Sequence, residues 1–226
     1  MKAKSMSKRL FLKGRSQSHA ERRERKKMMI RPSLVEMEAY RKDESLRLLP
    51  VMKEIFSDFI TPITALSILK NISQNVFLLE SMEDREKWGR YTFLGYDPKQ
   101  SISCKNGIVE SSGLKLPTKD PKALIRQILQ EHKAPKVPGA PSFTGGLVGY
   151  FAYDFIQYEE NSLHFSGKDE EDFQDLDLML FDKVICFDHF LQKIFLIVNM
   201  SLSEGEAGYK RAVLELENMH RLLKSG

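Results

Sequence analysis

A chain of 226 residues with 42% hydrophobic and 29% charged side chains can bury one large core or two small ones, and it has no apolar run near the ~18 residues that cross a bilayer. Its two cysteines, Cys104 and Cys186, lie far apart and outside any CxxC or Cys/His spacing. That excludes a disulfide scaffold and a zinc site, and a reducing cytoplasm is the expected setting. The net charge of +4 is uneven: residues 1–27 hold 11 Lys/Arg against 2 Asp/Glu, so the body that follows is mildly acidic.

In chain order, residues 1–28, "MKAKSMSKRLFLKGRSQSHAERRERKKM", are poor in apolar side chains and carry no sustained period. They are expected to be a disordered basic extension, because they cannot bury enough surface to offset the entropy of ordering. Clustered Lys/Arg suits a nucleic-acid arm acting through counterion release. A secretory signal would need an apolar central stretch, which is missing. Nothing aromatic or patterned accompanies the charge, so the plainest reading is an extension upstream of a natural start at Met28 or Met29.

Residues 29–226 are expected to form one domain. Leu34, Met37 and Tyr40 recur at helical spacing behind Ser33, with Glu36 placed to complete a capping box. "TPITALSILKN" opens a second helix, with Thr61 as cap and Pro62 in the first helical position. Strands follow at 75–80, 90–96, 99–104 and 107–111, the last two joined by an Asn106-Gly107 turn. Asp120-Pro121 starts another helix with Leu124, Ile125, Ile128 and Leu129 on one side, and a Pro-rich linker occupies 132–142. Residues 178–187 and 193–199 read as two strands joined at Asp188-His189. An amphipathic helix over 204–224 closes the chain with Tyr209, Val213, Leu216 and Leu223 inward. Sequential hairpins with flanking helices predict an α+β fold with a largely antiparallel β-sheet or β-sandwich.

Four stretches invite chemistry. In "VFLLES" an apolar strand stops at Glu80-Ser81; alternation puts Phe77, Leu79 and Ser81 on one face and Val76, Leu78 and Glu80 on the other. Ser81 at a buried rim can bond a ligand's carboxylate or amine, although a strand-ending turn uses the same residues. In "KWGRYTFLG", Arg90 offers a fixed cation at a strand start, and Trp88 reads as packing. "FTGGLVGYFAYDF" is neither GxGxxG nor a P-loop; its glycines point to close backbone approach across another sheet, with Tyr150, Tyr153 and Asp154 as a hydrogen-bonded corner. The acidic run at 169–172 lacks the alternation of a calcium loop, and no nucleophile is marked with a base.

"LLES", "GRYTFLG" and "FTGGLVGYFAYD", in that order, with "MIRPSLVEMEAY" and "FSDFITPITALSIL" before them, resemble the N-terminal region of the anthranilate synthase component I family of chorismate-utilising enzymes. The resemblance covers roughly residues 29–226. It implies conversion of chorismate to anthranilate with Mg2+ and with ammonia from a glutamine amidotransferase subunit, and feedback inhibition by L-tryptophan. It also implies that the LLES segment contributes to the tryptophan site. Ser81 would contact the inhibitor's α-amino acid group, Glu80 would counter its ammonium and Leu79 would supply wall, with Arg90 a further candidate. The family's chorismate and magnesium residues lie in a C-terminal catalytic domain, and no chorismate-binding signature is expected in this chain, which ends about where that domain should begin. The expectation is therefore a regulatory and scaffolding half without catalytic competence alone. The alternatives are the N-terminal region of an aminodeoxychorismate synthase and, from another class, a non-enzymatic module binding nucleic acid through its basic tail.

Overall fold

The computed structural model describes residues 30–80, 89–160, 162–163 and 172–225. The basic tail, Ser81, Trp88 and the acidic residues 169–171 lie outside them. In chain order the elements begin with β1 (Ile30–Arg31), α1 (Leu34–Arg41), β2 (Leu48–Phe56), α2 (Pro62–Lys70), β3 (Val76–Glu80), β4 (Tyr91–Tyr96), β5 (Gln100–Lys105) and β6 (Ile108–Ser111). They continue with β7 (Leu114–Pro117), α3 (Pro121–Glu131), β8 (Gly146–Phe151), β9 (Leu176–Phe181), β10 (Lys183–Asp188), β11 (Lys193–Ser201) and α4 (Gly205–Ser225). Six strands form one sheet in the order β1-β2-β11-β10-β4-β3, and five form another in the order β7-β6-β5-β9-β8. Every paired register is antiparallel. The expected α+β class with antiparallel sheet is the class observed.

Local chemistry explains the helix starts. The Ser33 hydroxyl accepts from the Glu36 N–H at 3.3 Å while the Glu36 carboxylate accepts from the Ser33 N–H at 2.7 Å, so two orphan donors are satisfied reciprocally. Thr61 caps α2 through the Thr64 N–H, and Asp120 caps α3 through the N–H groups of Lys122 and Ala123. Asn106 and Gly107 both adopt positive φ, as their two-residue hairpin requires. Ser112-Gly113 repeats the device with φ of 50° and 79°, and so creates β7, a strand the sequence pattern did not mark.

The stretch 178–187 is two strands, not one. β9 belongs to the five-stranded sheet and β10 to the six-stranded one, and the chain changes sheet at Asp182. The Asp182 carbonyl accepts the backbone N–H of Asn199 at 2.9 Å and its side-chain amide at 3.1 Å, which pins the crossing. Both strands are buried, so hydrophobicity runs unbroken through the change.

Two apolar clusters result. One fills the six-stranded sheet and packs Leu49, Val51, Leu94, Ile185, Leu196 and Leu216 among others. The other joins Ile102, Cys104, Leu176 and Leu178 to Ile128 of α3 and to Phe155 in a short 3-10 helix (Tyr153–Tyr158). The hydroxyl corner there is built by Tyr158, which donates to Asp175 at 2.6 Å and accepts from the Gly107 N–H at 2.7 Å. Of the expected corner residues Tyr150, Tyr153 and Asp154, Tyr153 is 83% exposed.

A buried charge ties α4 to the first sheet. The Lys53 ammonium, 2% exposed, lies 2.7 Å from both Glu217 carboxylate oxygens and 3.1 Å from His220 Nδ1. An ammonium only donates, so Nδ1 accepts and the ring is neutral. Burial first, then Lys53 and Lys224, hold the His220 pKa below its ordinary 6.5, against the opposing pull of Glu217. The folded state thus resists a proton that the unfolded chain takes up freely, and stability falls as pH drops below about 6.5. A His220→Gln variant, which keeps an acceptor but cannot charge, should lose less melting temperature between neutral and mildly acid pH than the wild type. Parallel pH profiles in differential scanning fluorimetry would contradict this.

Candidate functional site

Of the residues singled out in the sequence, Leu79, Glu80 and Arg90 converge at one end of β3, β4 and β10. Register sets Glu80 opposite Thr92 and Tyr91 opposite Asp188. The apolar strand β3 forms the sheet's outer edge, and its burial fades towards its end, where Leu79 is 48% exposed and Glu80 is exposed. Strand alternation holds: Leu79 lies opposite Phe93, and Glu80 next to it faces the other side with Thr92. A ligand touching both side chains must therefore span the strand end. Beneath Leu79, Phe77 packs edge-on to Phe181 at 4.8 Å and to Phe143 at 6.3 Å, so the wall below is rigid and aromatic.

Arg90 is committed within the protein. Its Nη2 donates to Asp188 Oδ2 at 2.6 Å, and its Nε lies 3.1 Å from both Asp188 oxygens. Asp188 is fully buried, while the Arg90 side chain stays 35% exposed and stacks near Tyr91 and Phe190. Hydrogen bonding to Asp188 raises the Arg90 pKa further, more than burial lowers it. Asp188 Oδ1 also accepts the N–H groups of Phe190 and Leu191, which closes the β10–β11 turn. The guanidinium thus anchors the strand ends and is not a spare cation while this pair stands.

Two residues enter that the sequence motifs did not assign. The fully buried Thr92 hydroxyl lies 2.8 Å from His189 Nε2 and 3.4 Å from Glu80 Oε1. The one signal for Thr92 was a polar side chain inside the apolar alternation of "RYTFLG". His189 stood in the sequence as a turn residue, and only the sheet brings it to Thr92. The glycine stretch behaves as backbone: a Cβ on Gly149 would fall 1.9 Å from the Asp177 carbonyl oxygen. At Gly149 the close approach is to β9 in its own sheet, whereas at Gly145 a Cβ would fall 2.4 Å from Asn199 Nδ2 of β11, in the other sheet. A groove of about 1000 Å³ between α1 and residues 133–138 contains none of these site residues. Among the described residues, no group of three or more His, Cys, Asp or Glu side chains is placed to hold a metal ion.

The family model described as chorismate binding enzyme matches residues 74–222, from just before β3 to within α4. The chain belongs to the chorismate-binding enzyme family. The match names a family and assigns no residue to a ligand. The chain is 35% identical over 200 residues to anthranilate synthase component 1 of Acetivibrio thermocellus, covering 85% of this chain and 39% of that relative. It is 36% identical to the component 1 of Pseudomonas aeruginosa, over 78% of this chain and 37% of the relative. For Saccharomyces cerevisiae the identity is 32%, over 80% and 36%. The crystal structure of anthranilate synthase component I from Streptococcus pneumoniae matches with a TM-score of 0.48 and 28% identity, over 74% of this chain and 36% of that one. The chain spans under two-fifths of the length of these relatives. No helix among the described residues is long and apolar enough to cross a membrane.

Proposed function

We propose that this chain is the N-terminal regulatory and scaffolding region of an anthranilate synthase component I. The observation that carries the reading is the 35% identity to such a protein over 85% of this chain and only 39% of the relative. The relatives' names favour this over the aminodeoxychorismate branch. In this reading chorismate and Mg2+ are handled by the length that the relatives have beyond this region, and a glutamine amidotransferase subunit delivers the ammonia. Ser81, Glu80 and Leu79 form one wall of a feedback tryptophan site: Glu80 faces the amino acid's ammonium and the exposed Leu79 its apolar part, with Arg90 holding the strand ends through Asp188. Tryptophan inhibits by favouring one arrangement of the two regions over the other. A single wall leaves the ligand incompletely enclosed, so the chain by itself binds tryptophan weakly but saturably.

The test is turnover. The purified chain with chorismate, ammonium and Mg2+ should yield no anthranilate fluorescence above the uncatalysed rate. Adding the complementary C-terminal region of the Acetivibrio thermocellus relative should give tryptophan-sensitive activity. Appreciable turnover by the chain alone would overturn the scaffolding role.

A further inference from the structure

We propose that Thr92 and His189 are positioning residues for Glu80, forming a directional relay that aims its carboxylate at the ammonium of a bound amino acid. This deepens the reading of Glu80 as an ammonium partner and rests on it. The geometry is specific. The Thr92 side chain is fully buried in β4, and register places it opposite Glu80 in β3. Its hydroxyl is 2.8 Å from His189 Nε2 on one side and 3.4 Å from Glu80 Oε1 on the other.

The proton inventory gives the direction. An ionised carboxylate only accepts, so the contact to Glu80 needs the single Thr92 proton. The 2.8 Å contact then needs its proton from the other side, and Nε2–H of His189 donates to the Thr92 oxygen. The relay therefore runs from His189 through Thr92 to Glu80, which orients Oε1 and leaves Oε2 for a ligand.

The imidazole is itself seated by its backbone. The His189 N–H donates to the Arg90 carbonyl at 2.9 Å, and the Gln192 side chain donates to the His189 carbonyl at 2.8 Å. Asp188, the residue just before the histidine, is gripped by Arg90. The Arg90–Asp188 pair thus acts on Glu80 indirectly, by holding the turn that carries the histidine. A carboxylate held in one orientation loses less freedom on binding than one free to rotate at an exposed strand end.

The experiment titrates L-tryptophan into the full chain, followed by amide shifts in two-dimensional NMR, for the wild type, Glu80→Gln, Thr92→Val and Thr92→Ser. The proposal expects Glu80→Gln to abolish saturable shifts and Thr92→Val to weaken binding about fivefold to tenfold, the scale of one lost hydrogen bond. Thr92→Ser, which restores the hydroxyl, should recover most of the affinity. His189→Phe should match Thr92→Val, so the relay can be read from two sites if one variant folds poorly. Thr92→Val with wild-type affinity, where Glu80→Gln has lost it, would overturn the relay and leave the tryptophan site standing. Saturable binding that Glu80→Gln leaves intact, or no binding by the wild type, would overturn the parent reading as well.

Discussion

An Asp188→Ala variant is expected to lose about 3 kcal/mol of folding stability, towards the lower end of the range for breaking a buried charge pair. The carboxylate is fully buried and accepts from Arg90 and from the N–H groups of Phe190 and Leu191. Its removal leaves a guanidinium without its partner and two turn donors without an acceptor. Arg90 keeps 35% of its side chain in water and can resolvate in part, which sets the loss below the upper end near ~5 kcal/mol. Asp188→Asn should cost less, because an amide oxygen can still close the turn. Urea denaturation reads both as a lower midpoint at constant slope. A loss under about 0.5 kcal/mol for the alanine variant, the size of an ordinary surface change, would show that Arg90 and Asp188 are incidental neighbours.

Gly149→Ala is expected to be as severe, for a different reason. Its new Cβ would sit 1.9 Å from the Asp177 carbonyl oxygen and 2.9 Å from the Asp177 carbonyl carbon and Leu178 Cα. These are backbone atoms of the paired strand and cannot rotate aside. The end of β8 would have to leave β9, at about 3 kcal/mol, the upper part of the overpacking range. Gly95→Ala strains a side chain instead of backbone: its Cβ would fall 2.2 Å from Phe77 Cε1, so the misfit passes to the Phe77 ring and its contacts with Phe181 and Phe143. Hydrogen exchange should show β8 amides losing protection in Gly149→Ala while β10 amides keep theirs. Uniform loss across both sheets would mean that the strain is not local to β8.

The elements that were legible in the sequence carry their signals within a few residues. Ser33, Thr61 and Asp120 announce their helices because capping is a contact three residues long. Asn106-Gly107 announces its hairpin for the same reason. β2 was not legible, although it is nine residues long and lies inside the six-stranded sheet. Pro50, Lys53 and Glu54 break its apolar pattern, and proline argues against an inner strand. Register resolves the conflict. Pro50 faces Asn199, whose N–H goes to the Asp182 carbonyl, so at this pair the backbone donors and acceptors turn away from each other. The missing N–H of Pro50 then falls on the side of β1, which pairs only with Met52 and Lys53.

The candidate site divides in the same way. Leu79, Glu80 and Arg90 stand in one short stretch, and a motif can hold them together. Asp188 and His189 stand about a hundred residues further on, and only the β4–β10 pairing brings them to Arg90 and Thr92. Their partners are chosen by tertiary register, which no local pattern encodes.

The crossing at Asp182 has a consequence for how the molecule bears load. Residues 176–188 run from one sheet into the other with Asp182 alone between the two strands, and Asn199 clamps that point. A displacement of the five-stranded sheet is therefore transmitted as tension along a covalent backbone into β10, the strand that ends on Asp188 and is followed by His189. The Asn199 clamp shares that load with β11 at the crossing itself, so the two sheets are held in fixed relation at Asp182.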